Sequence, residues 1–241
     1  MQERNGLLSL ARVRGSVLRF AALSPTTAFT YLLADIRRPE AWSDIVGALR
    51  AREGANVRYL VHDAAVGEPE RVGHISLEQF QDAMETNVTA PLFLSQELLP
   101  LLERSQPPGR ILHVGAGIAH RPQVGSLTYG VTKAAFHRLY EQLRLELPTM
   151  GKVRIASVRP GTVDTPGLTK LIETPATQLP DVEYLRGMRD RGELYTADEA
   201  AEFIRFVLKD VQDDDEYSRE EWNIRDSWHH SRWKKDTTGN G

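Results

Sequence analysis

The sequence predicts an α/β fold in which helices cover both faces of a parallel sheet, the doubly wound arrangement. Short apolar, strand-like runs alternate with segments of helical period along nearly all of the 241 residues. This alternation is typical of a parallel sheet packed between helices. With 41% hydrophobic and 26% charged residues, the chain is long enough to bury a sizeable core. We therefore predict one domain over residues 1–241.

Each element follows from its own local pattern. Pro39 stands where a first-turn proline belongs, and Ser76 and Thr196 each begin a capping-box sequence. Strands are predicted at Leu7–Ala11, Phe29–Ala34, Val57–Val61, Arg110–Val114, Val153–Val158 and Glu221–Ile224. Helices are predicted at about 13–22, 39–53, 77–104, 126–148 and 197–209.

Two segments do not follow the alternation. Residues 159–196 form a long insertion that contains several prolines, and we predict that it is a substrate-binding region or lid with one short helix near Val182 to Met188. A tolerated surface insertion is the alternative. Residues 228–241 are predicted to be a polar, frayed tail.

Composition excludes several classes of function. The absence of cysteine excludes disulfides, thiolate catalysis and cysteine-ligated zinc, and favours a reducing compartment. The net charge of −3 predicts no nucleic-acid partner, and no apolar run approaches the length of a membrane span. We expect a cytoplasmic protein with no metal site. The arginine-rich residues 1–25 leave an organellar transit peptide as an alternative.

Tyr129 and Lys133 carry the strongest functional signal. They are four residues apart and therefore share one face of a predicted helix. A phenol titrates near pH 10, and a neighbouring ammonium favours the phenolate, so we predict that Lys133 lowers the pKa of Tyr129. Such a pair suits the transfer of a proton to or from a carbonyl oxygen.

Placed after the strand Arg110–Val114, this pair makes the chain resemble the short-chain dehydrogenase/reductase family. The similarity extends over nearly all of the chain and implies a Rossmann-like fold. Further motifs of the family are matched, in chain order, by Ala34-Asp35-Ile36, Val61-His-Asp-Ala-Ala-Val66, Asn87-Val-Thr-Ala-Pro91 and Arg159-Pro-Gly-Thr-Val-Asp-Thr165.

The resemblance implies an NADP(H)-dependent oxidoreductase that acts on a small-molecule carbonyl substrate. Tyr129 would donate the proton, Lys133 would also hold the ribose, and Asn87 would anchor a water that links Lys133 to solvent. Softer similarity points to the benzil-reductase and sepiapterin-reductase-like branch, which reduces ketones or diketones. A homodimer through helices 77–104 and 126–148 is the common arrangement. The implied cofactor-binding residues are Arg12, Asp35, Ile36, Asp63, Ala64, Tyr129, Lys133, Pro160, Gly161, Val163 and Thr165.

The sequence also departs from the family. The glycine-rich turn, with its strand and helix, does not precede the first predicted strand, so we expect weak binding of NADP(H). The position of the catalytic serine is Ala116, which has no hydroxyl, and Ser126, Thr128 and Thr132 are the nearby substitutes. Two alternatives follow: a catalytically inactive relative that acts as a binding or assembly partner, and a truncated gene model.

Overall fold

The computed structural model describes residues 6–10, 28–52 and 54–234. The chain divides into two compact units, Met1–Ala55 and Asn56–Gly241. The predicted helix at 13–22 and the implied cofactor-binding residue Arg12 lie outside the described residues. Whether residues 1–241 form one domain stays a prediction.

The first unit contains a two-stranded parallel sheet and one helix. Strand β1 (Gly6–Leu10) pairs with β2 (Ala28–Leu32), which ends two residues before the predicted limit. Helix α1 (Pro39–Arg50) begins at Pro39, whose fixed φ suits a first helical turn. The indole of Trp42 donates a hydrogen bond to the carbonyl of Ile36 over 2.7 Å and so closes the turn that leads into the helix.

The second unit is built on a four-stranded parallel sheet in the order β3-β4-β5-β6. Every neighbouring pair of strands is parallel. Helices connect the strands, which confirms the predicted α/β class with a parallel sheet. The strands are β3 (Tyr59–His62), β4 (Arg110–Val114), β5 (Arg154–Arg159) and β6 (Trp222–Asn223).

Strand β4 lies at the centre of this sheet, and all five of its residues are buried. Its first residue, Arg110, would be costly to bury unpaired. The Arg110 guanidinium donates hydrogen bonds to the carbonyls of Val211 and Gln212 and to the Asp214 carboxylate, over 2.6, 3.0 and 2.8 Å. It also lies 4.5 Å from the centre of the Tyr217 ring. These contacts fasten the chain that precedes β6 to the start of β4.

The helices of the second unit follow the sequence prediction with local differences. The predicted helix 77–104 contains a wide, π-helical turn at Glu85–Thr89, and the predicted helix 197–209 ends in another at Phe206–Asp210. The capping box at Thr196 and Glu199 is confirmed. The α-helices are α2 (Leu77–Met84), α3 (Ala90–Glu103), α4 (Leu127–Met150), α5 (Pro166–Ile172), α6 (Val182–Asp190), α7 (Ala197–Arg205) and α8 (Asp214–Tyr217).

The prediction of a polar, frayed tail at residues 228–241 is wrong for the first residues of this segment, up to Trp233. Residues Ser227–Arg232 form a 3₁₀ turn, and His229 and Trp233 are buried in it and directly after it. The Trp233 indole donates to His229 Nδ1 over 2.9 Å, and the His229 ring stacks on Phe203. Aromatic side chains combine large apolar faces with a polar atom that can form a hydrogen bond. They can therefore be buried in the core even where the adjacent residues in the sequence are charged.

Two histidines occupy neighbouring positions of β3 and β4. His62 and His113 are register partners, and their rings meet edge to face with centroids 5.3 Å apart. His62 Nε2 hydrogen-bonds to the Ser95 hydroxyl over 2.9 Å, whereas the His113 ring stacks on Phe136 and its nitrogens have no hydrogen-bond partner in the described part of the chain. Burial lowers the pKa of His62 to about 4 and that of His113 well below its usual value.

Acid should therefore destabilise the fold through His62. Above about pH 6.5 this histidine is neutral in both the folded and the unfolded chain. As the pH falls toward 4, the unfolded chain binds a proton that the folded chain does not, and the free energy of unfolding falls by about 3 kcal/mol. Urea unfolding across this pH range should show a smaller decline for His62→Gln than for the parent. His74→Gln, at an exposed position, is the control, and an equal decline in all three proteins would contradict the prediction.

Candidate active site

Tyr129 and Lys133 lie in the first two turns of α4, on the face directed toward the end of β4. Lys133 is buried, and its Nζ donates a hydrogen bond to the carbonyl of Val114, the last residue of β4, over 3.0 Å. The same nitrogen is 5.8 Å from the centre of the Tyr129 ring. The sequence prediction that one helix face presents both groups agrees with this geometry.

Burial and a nearby carboxylate determine the protonation of Lys133. Burial lowers the pKa of its ammonium to about 8, although the Asp63 carboxylate acts in the opposite direction. The group is therefore mainly charged at neutral pH. One of its three N–H donors is used by the Val114 carbonyl, so the ammonium can offer further donors to a ligand.

The predicted lowering of the Tyr129 pKa is wrong for the structure described here. Burial raises the pKa of the phenol, and the negative charge of Asp63 raises it further. The ammonium of Lys133 is directed at the Val114 carbonyl. Both effects that raise the pKa depend on which groups lie around the phenol, and i,i+4 spacing alone does not reveal them.

Asn87 is buried in the wide turn between α2 and α3 and links this turn to two other segments. Its Oδ1 accepts from the Val66 amide over 2.8 Å, and its Nδ2 donates to the Val66 carbonyl and to the Thr132 hydroxyl over 2.7 and 2.8 Å. The Thr132 hydroxyl in turn donates to the Tyr129 carbonyl over 3.1 Å. Asn87 thus fixes the loop after β3 against the helix that carries Tyr129.

A glycine in that loop covers the tyrosine. A Cβ at Gly67 would lie 2.7 Å from Tyr129 Cβ and 2.7 Å from Cδ2, so a side chain at this position would displace the ring. The sequence reasoning missed Gly67, since only the packing of two segments distant along the chain shows its role.

Ala116, the predicted serine position, follows β4 in extended backbone and precedes a 3₁₀ turn at Gly117–Ala119. This turn packs on the start of α4. The Ile118 side chain lies so close to Gly130 that a Cβ at Gly130 would be only 3.6 Å from it. Of the suggested substitute hydroxyls, that of Thr132 is already bonded to Asn87 and Tyr129. The Thr128 hydroxyl is buried without a hydrogen-bond partner among the residues described.

The segment after β5 is held by the far end of the insertion. The Tyr195 amide donates to the Thr162 carbonyl over 3.0 Å, and the Asp164 amide donates to the Tyr195 carbonyl over 2.8 Å. Gly161 has φ +79°, and a Cβ there would meet the Tyr195 ring at 2.6 Å, so both conformation and space require glycine. Pro160 and Val163 are half-buried beside it, and the Thr165 hydroxyl caps α5 by accepting from the Leu168 amide over 3.2 Å.

The remaining predicted cofactor ligands are divided between the units. Asp63 and Ala64 are exposed directly after β3, in the same unit as Tyr129. Asp35 and Ile36 belong to the first unit, where both oxygens of Asp35 pair with the Arg37 guanidinium over 2.6 to 3.2 Å. The sequence did not predict that this carboxylate would have an arginine partner two residues away.

A buried carboxylate, Glu221, was not predicted as a functional residue. Its Oε2 lies 2.7 Å from His120 Nε2 and 2.9 Å from Arg159 Nε, and its Oε1 accepts from the Ser157 hydroxyl over 2.8 Å. Burial alone would raise the pKa of Glu221, but the contacts with His137, Ser157 and Arg159 outweigh it, so the pKa is lowered and the group is charged. No spacing signal could have found this cluster, because its members lie on separate elements.

A polar cavity of about 440 Å³ lies beside the loop that covers Tyr129. The insertion closes one side of it: Lys170 pairs with Glu68 over 3.1 Å, and the Gln178 amide donates to the Pro69 carbonyl. None of the predicted catalytic residues lines the cavity. Its walls are Glu68, Pro69, Glu70, Arg71, His74, Gln79, Thr177 and Gln178.

Comparison with known proteins agrees with the fold. The family model of the short chain dehydrogenases matches residues 14–176, more than half of the chain. The chain belongs to the short chain dehydrogenase family. In the part of the chain that the structure describes, no helix combines the length and apolar character that crossing a membrane requires.

Similar proteins of this kind come from several bacteria. An uncharacterized oxidoreductase of Staphylococcus epidermidis is 30% identical over 111 residues, 46% of this chain and 47% of that protein. An NADPH-dependent 3-dehydrocapnine reductase of Ornithobacterium rhinotracheale is 32% identical over 111 residues, 44% of this chain and 38% of that protein. A benzil reductase of Bacillus cereus is 21% identical over 183 residues, 73% of this chain and 72% of that protein. The chain spans about half the length of the first curated relatives it matches.

Solved structures show the same fold. A short chain dehydrogenase/reductase of Saccharomyces cerevisiae superposes with a TM-score of 0.79 at 19% identity, covering 94% of this chain and 88% of that one. The L-sorbose reductase of Gluconobacter frateurii gives a TM-score of 0.74 at 22% identity, covering 90% of this chain and 83% of that one.

Removing the charge of Asp63 should lower the pKa of Tyr129. In Asp63→Asn the carboxylate that disfavours the phenolate is gone, so the phenol should ionise at a lower pH than in the parent. Phenolate absorbance is measured against pH for each protein and for its Tyr129→Phe counterpart. The difference between the two curves is the titration of Tyr129. Asp190→Asn, at an exposed position of α6, is the control. An unchanged Tyr129 pKa in Asp63→Asn would show that burial alone sets it.

Proposed function

We propose that the chain is an NADP(H)-dependent oxidoreductase that reduces a ketone or diketone. The observation that carries the proposal is the arrangement of Tyr129 and Lys133 on one face of α4, with the ammonium held at the carboxyl end of β4. In doubly wound folds, ligands bind outside the carboxyl ends of the strands. Family membership supports the reaction class, and the benzil reductase and the 3-dehydrocapnine reductase support a carbonyl substrate and NADPH.

In this proposal Tyr129 is the proton donor. Its raised pKa keeps the phenol protonated at neutral pH, which suits a group that gives a proton to a carbonyl oxygen as that oxygen gains negative charge. Lys133 holds a positive charge near the same point, and Asn87 keeps the surrounding loop and helix in register. The proton and a hydride together convert the carbonyl to a hydroxyl.

The residues present fit the nicotinamide and ribose part of the cofactor. Bound NADPH would supply the hydride. The Lys133 ammonium and the exposed Asp63 carboxylate are a donor and an acceptor suited to ribose hydroxyls. Pro160, Gly161 and Val163 directly follow the carboxyl end of β5, the edge of the sheet at which the nicotinamide would lie. Arg12, Asp35, Ile36, Ala64 and Thr165 are the other proposed contacts, and the helices 77–104 and 126–148 are the proposed dimer surface.

A second function, as a non-catalytic binding or assembly partner, is favoured by one observation. Ala116 offers no hydroxyl where the family resemblance implies the catalytic serine, and Thr132 is engaged elsewhere. An enzyme without this donor would stabilise the oxyanion less well. The two functions differ in a simple way, since only the first requires turnover.

Tyr129→Phe should reduce the rate of benzil reduction by NADPH roughly 100-fold or more, the usual contribution of a general acid. The dissociation constant of this variant for NADPH should remain within a few-fold of that of the parent protein, because the Tyr129 hydroxyl acts mainly in the transition state. Lys133→Met should lower both the rate of benzil reduction and the affinity for NADPH. NADPH oxidation measures turnover, and quenching of cofactor fluorescence measures binding.

Tyr184→Phe is the matched control, since Tyr184 is an exposed tyrosine of α6. It should behave as the parent in both assays. Parent-like turnover in Tyr129→Phe would exclude Tyr129 as the donor. A parent chain that binds NADPH but reduces none of a panel of ketones and diketones would favour the non-catalytic function.

Ala116→Ser should increase turnover of the parent by about 10-fold or more, toward the scale of a single oxyanion-hole donor. The new hydroxyl would lie in the loop between β4 and the 3₁₀ turn that packs on α4. Ala119→Ser, at the end of that 3₁₀ turn, tests whether any added hydroxyl has this effect. No gain in Ala116→Ser, measured as kcat at saturating benzil, would indicate that the loop does not face the substrate.

A further inference from the structure

The cluster around Glu221 unites two histidines and a carboxylate from three separate elements. His120 ends the loop after β4, His137 lies in the third turn of α4, and Glu221 directly precedes β6. One ligand atom from each of these side chains lies within 4.8 Å of the other two. The rings of His120 and His137 meet edge to face with centroids 4.4 Å apart, so both imidazoles converge on the carboxylate.

The His137 ring directs a buried nitrogen at Glu221 without forming a hydrogen bond to it. Its Nδ1 is buried and has no hydrogen-bond partner within the described residues, although Glu221 Oε1 lies 3.5 Å away. Its other nitrogen, Nε2, lies 3.7 Å from Glu141 Oε1. The tautomer that carries its proton on Nε2, the side of Glu141, presents the Nδ1 lone pair to Glu221. A cation between that lone pair and Glu221 would satisfy both.

We propose that His120, His137 and Glu221 bind a divalent transition metal of the zinc class. Two imidazoles and one carboxylate form a ligand set that zinc accepts, with metal–ligand distances of about 2.0 to 2.2 Å. A separation of 3.5 Å between His137 Nδ1 and Glu221 Oε1 is close to the spacing of two atoms that share such an ion. His120 is about one-third exposed, so its side of the cluster is open to solvent and can take a water as the fourth ligand.

The surroundings resemble the outer shell that such sites need. Metal-ligating histidines commonly donate their other N–H to a carboxylate, and ligating carboxylates are themselves hydrogen-bonded. Ser157 fills the second role by donating to Glu221 Oε1 over 2.8 Å. Glu141 Oε1 lies 3.7 Å from His137 Nε2 and is the carboxylate that could take the first role after a small shift of its side chain. Arg159 Nε and His120 Nε2 lie 2.9 and 2.7 Å from Glu221 Oε2. Oε1 is therefore the oxygen offered to the metal, and the partly exposed His120 ring must turn from Oε2 toward the ion.

A bound ion would join three segments that also frame the candidate active site. The loop of His120 includes Ala116, the helix of His137 carries Tyr129, and Glu221 lies next to the strand that pairs with β5. We therefore expect the metal to stabilise the fold by an amount that grows with free metal concentration. This inference does not depend on the proposed reductase activity.

The test is calorimetric titration of the purified, metal-free chain with zinc chloride. One saturable site per chain is expected, together with a rise in melting temperature. His137→Gln and His120→Gln should each weaken binding by at least 10-fold, and Glu141→Gln by about 10-fold, the lower end for an outer-shell partner. Cobalt chloride gives a second readout, since intense visible bands mark four-coordinate cobalt held by these ligands.

His74→Gln is the matched control, because His74 is an exposed histidine outside the cluster. It should leave zinc affinity unchanged. Circular dichroism and melting of each metal-free variant establish that it folds, and His120→Gln, at the most exposed ligand, carries the test if His137→Gln does not fold. Absence of a one-to-one site in the parent, or equal zinc affinity in parent and His120→Gln, would overturn the proposal and leave Glu221 as a hydrogen-bonding hub only.

Discussion

The second unit depends on one constraint: β4 is buried on both faces and must therefore be paired and covered on every side. Four of its five residues pair in parallel with β3 on one side, and all five pair with β5 on the other. Parallel strands require crossover connections, and helices supply them on the sheet faces. As a result, the carboxyl ends of neighbouring strands meet at one edge, and groups that are far apart in the sequence meet there too.

Charges that enter this region are stabilised by specific partners. Lys133 is bonded to the final carbonyl of β4, and Arg110 is bonded to carbonyls and a carboxylate at the other end of the same strand. Glu221 is surrounded by donors from β5 and from the histidine-bearing elements. Burial of an ion is costly unless such partners compensate for the lost water. The charged groups therefore fix how the helices and loops meet the sheet.

Burial has the largest effect on the pKa values of Tyr129 and Lys133, and the loop after β3 adds a second effect. Its Asp63 carboxylate opposes ionisation of Tyr129 and favours the charged form of Lys133. The same loop is bonded to Asn87 through Val66 and lies against Tyr129 through Gly67. One short segment thus contacts the phenol and also contributes to its raised pKa. A bound ligand that displaced or neutralised Asp63 would change the acidity of the pair.

The sequence by itself determined the fold class, the approximate positions of the strands of the second unit along the chain, the helical pairing of Tyr129 with Lys133 and the caps at Ser76 and Thr196. These features depend on local periodicity and on residues a few positions apart, which a sequence displays directly. Tertiary structure decided the direction of the Tyr129 pKa, the clamp of Asn87 on Val66 and Thr132, and the burial of His229 and Trp233 in a segment expected to be polar. It also assembled His120, His137 and Glu221. Each of these results depends on which distant segments pack together and how much water they exclude, and neither quantity is encoded in the spacing of residues along the chain.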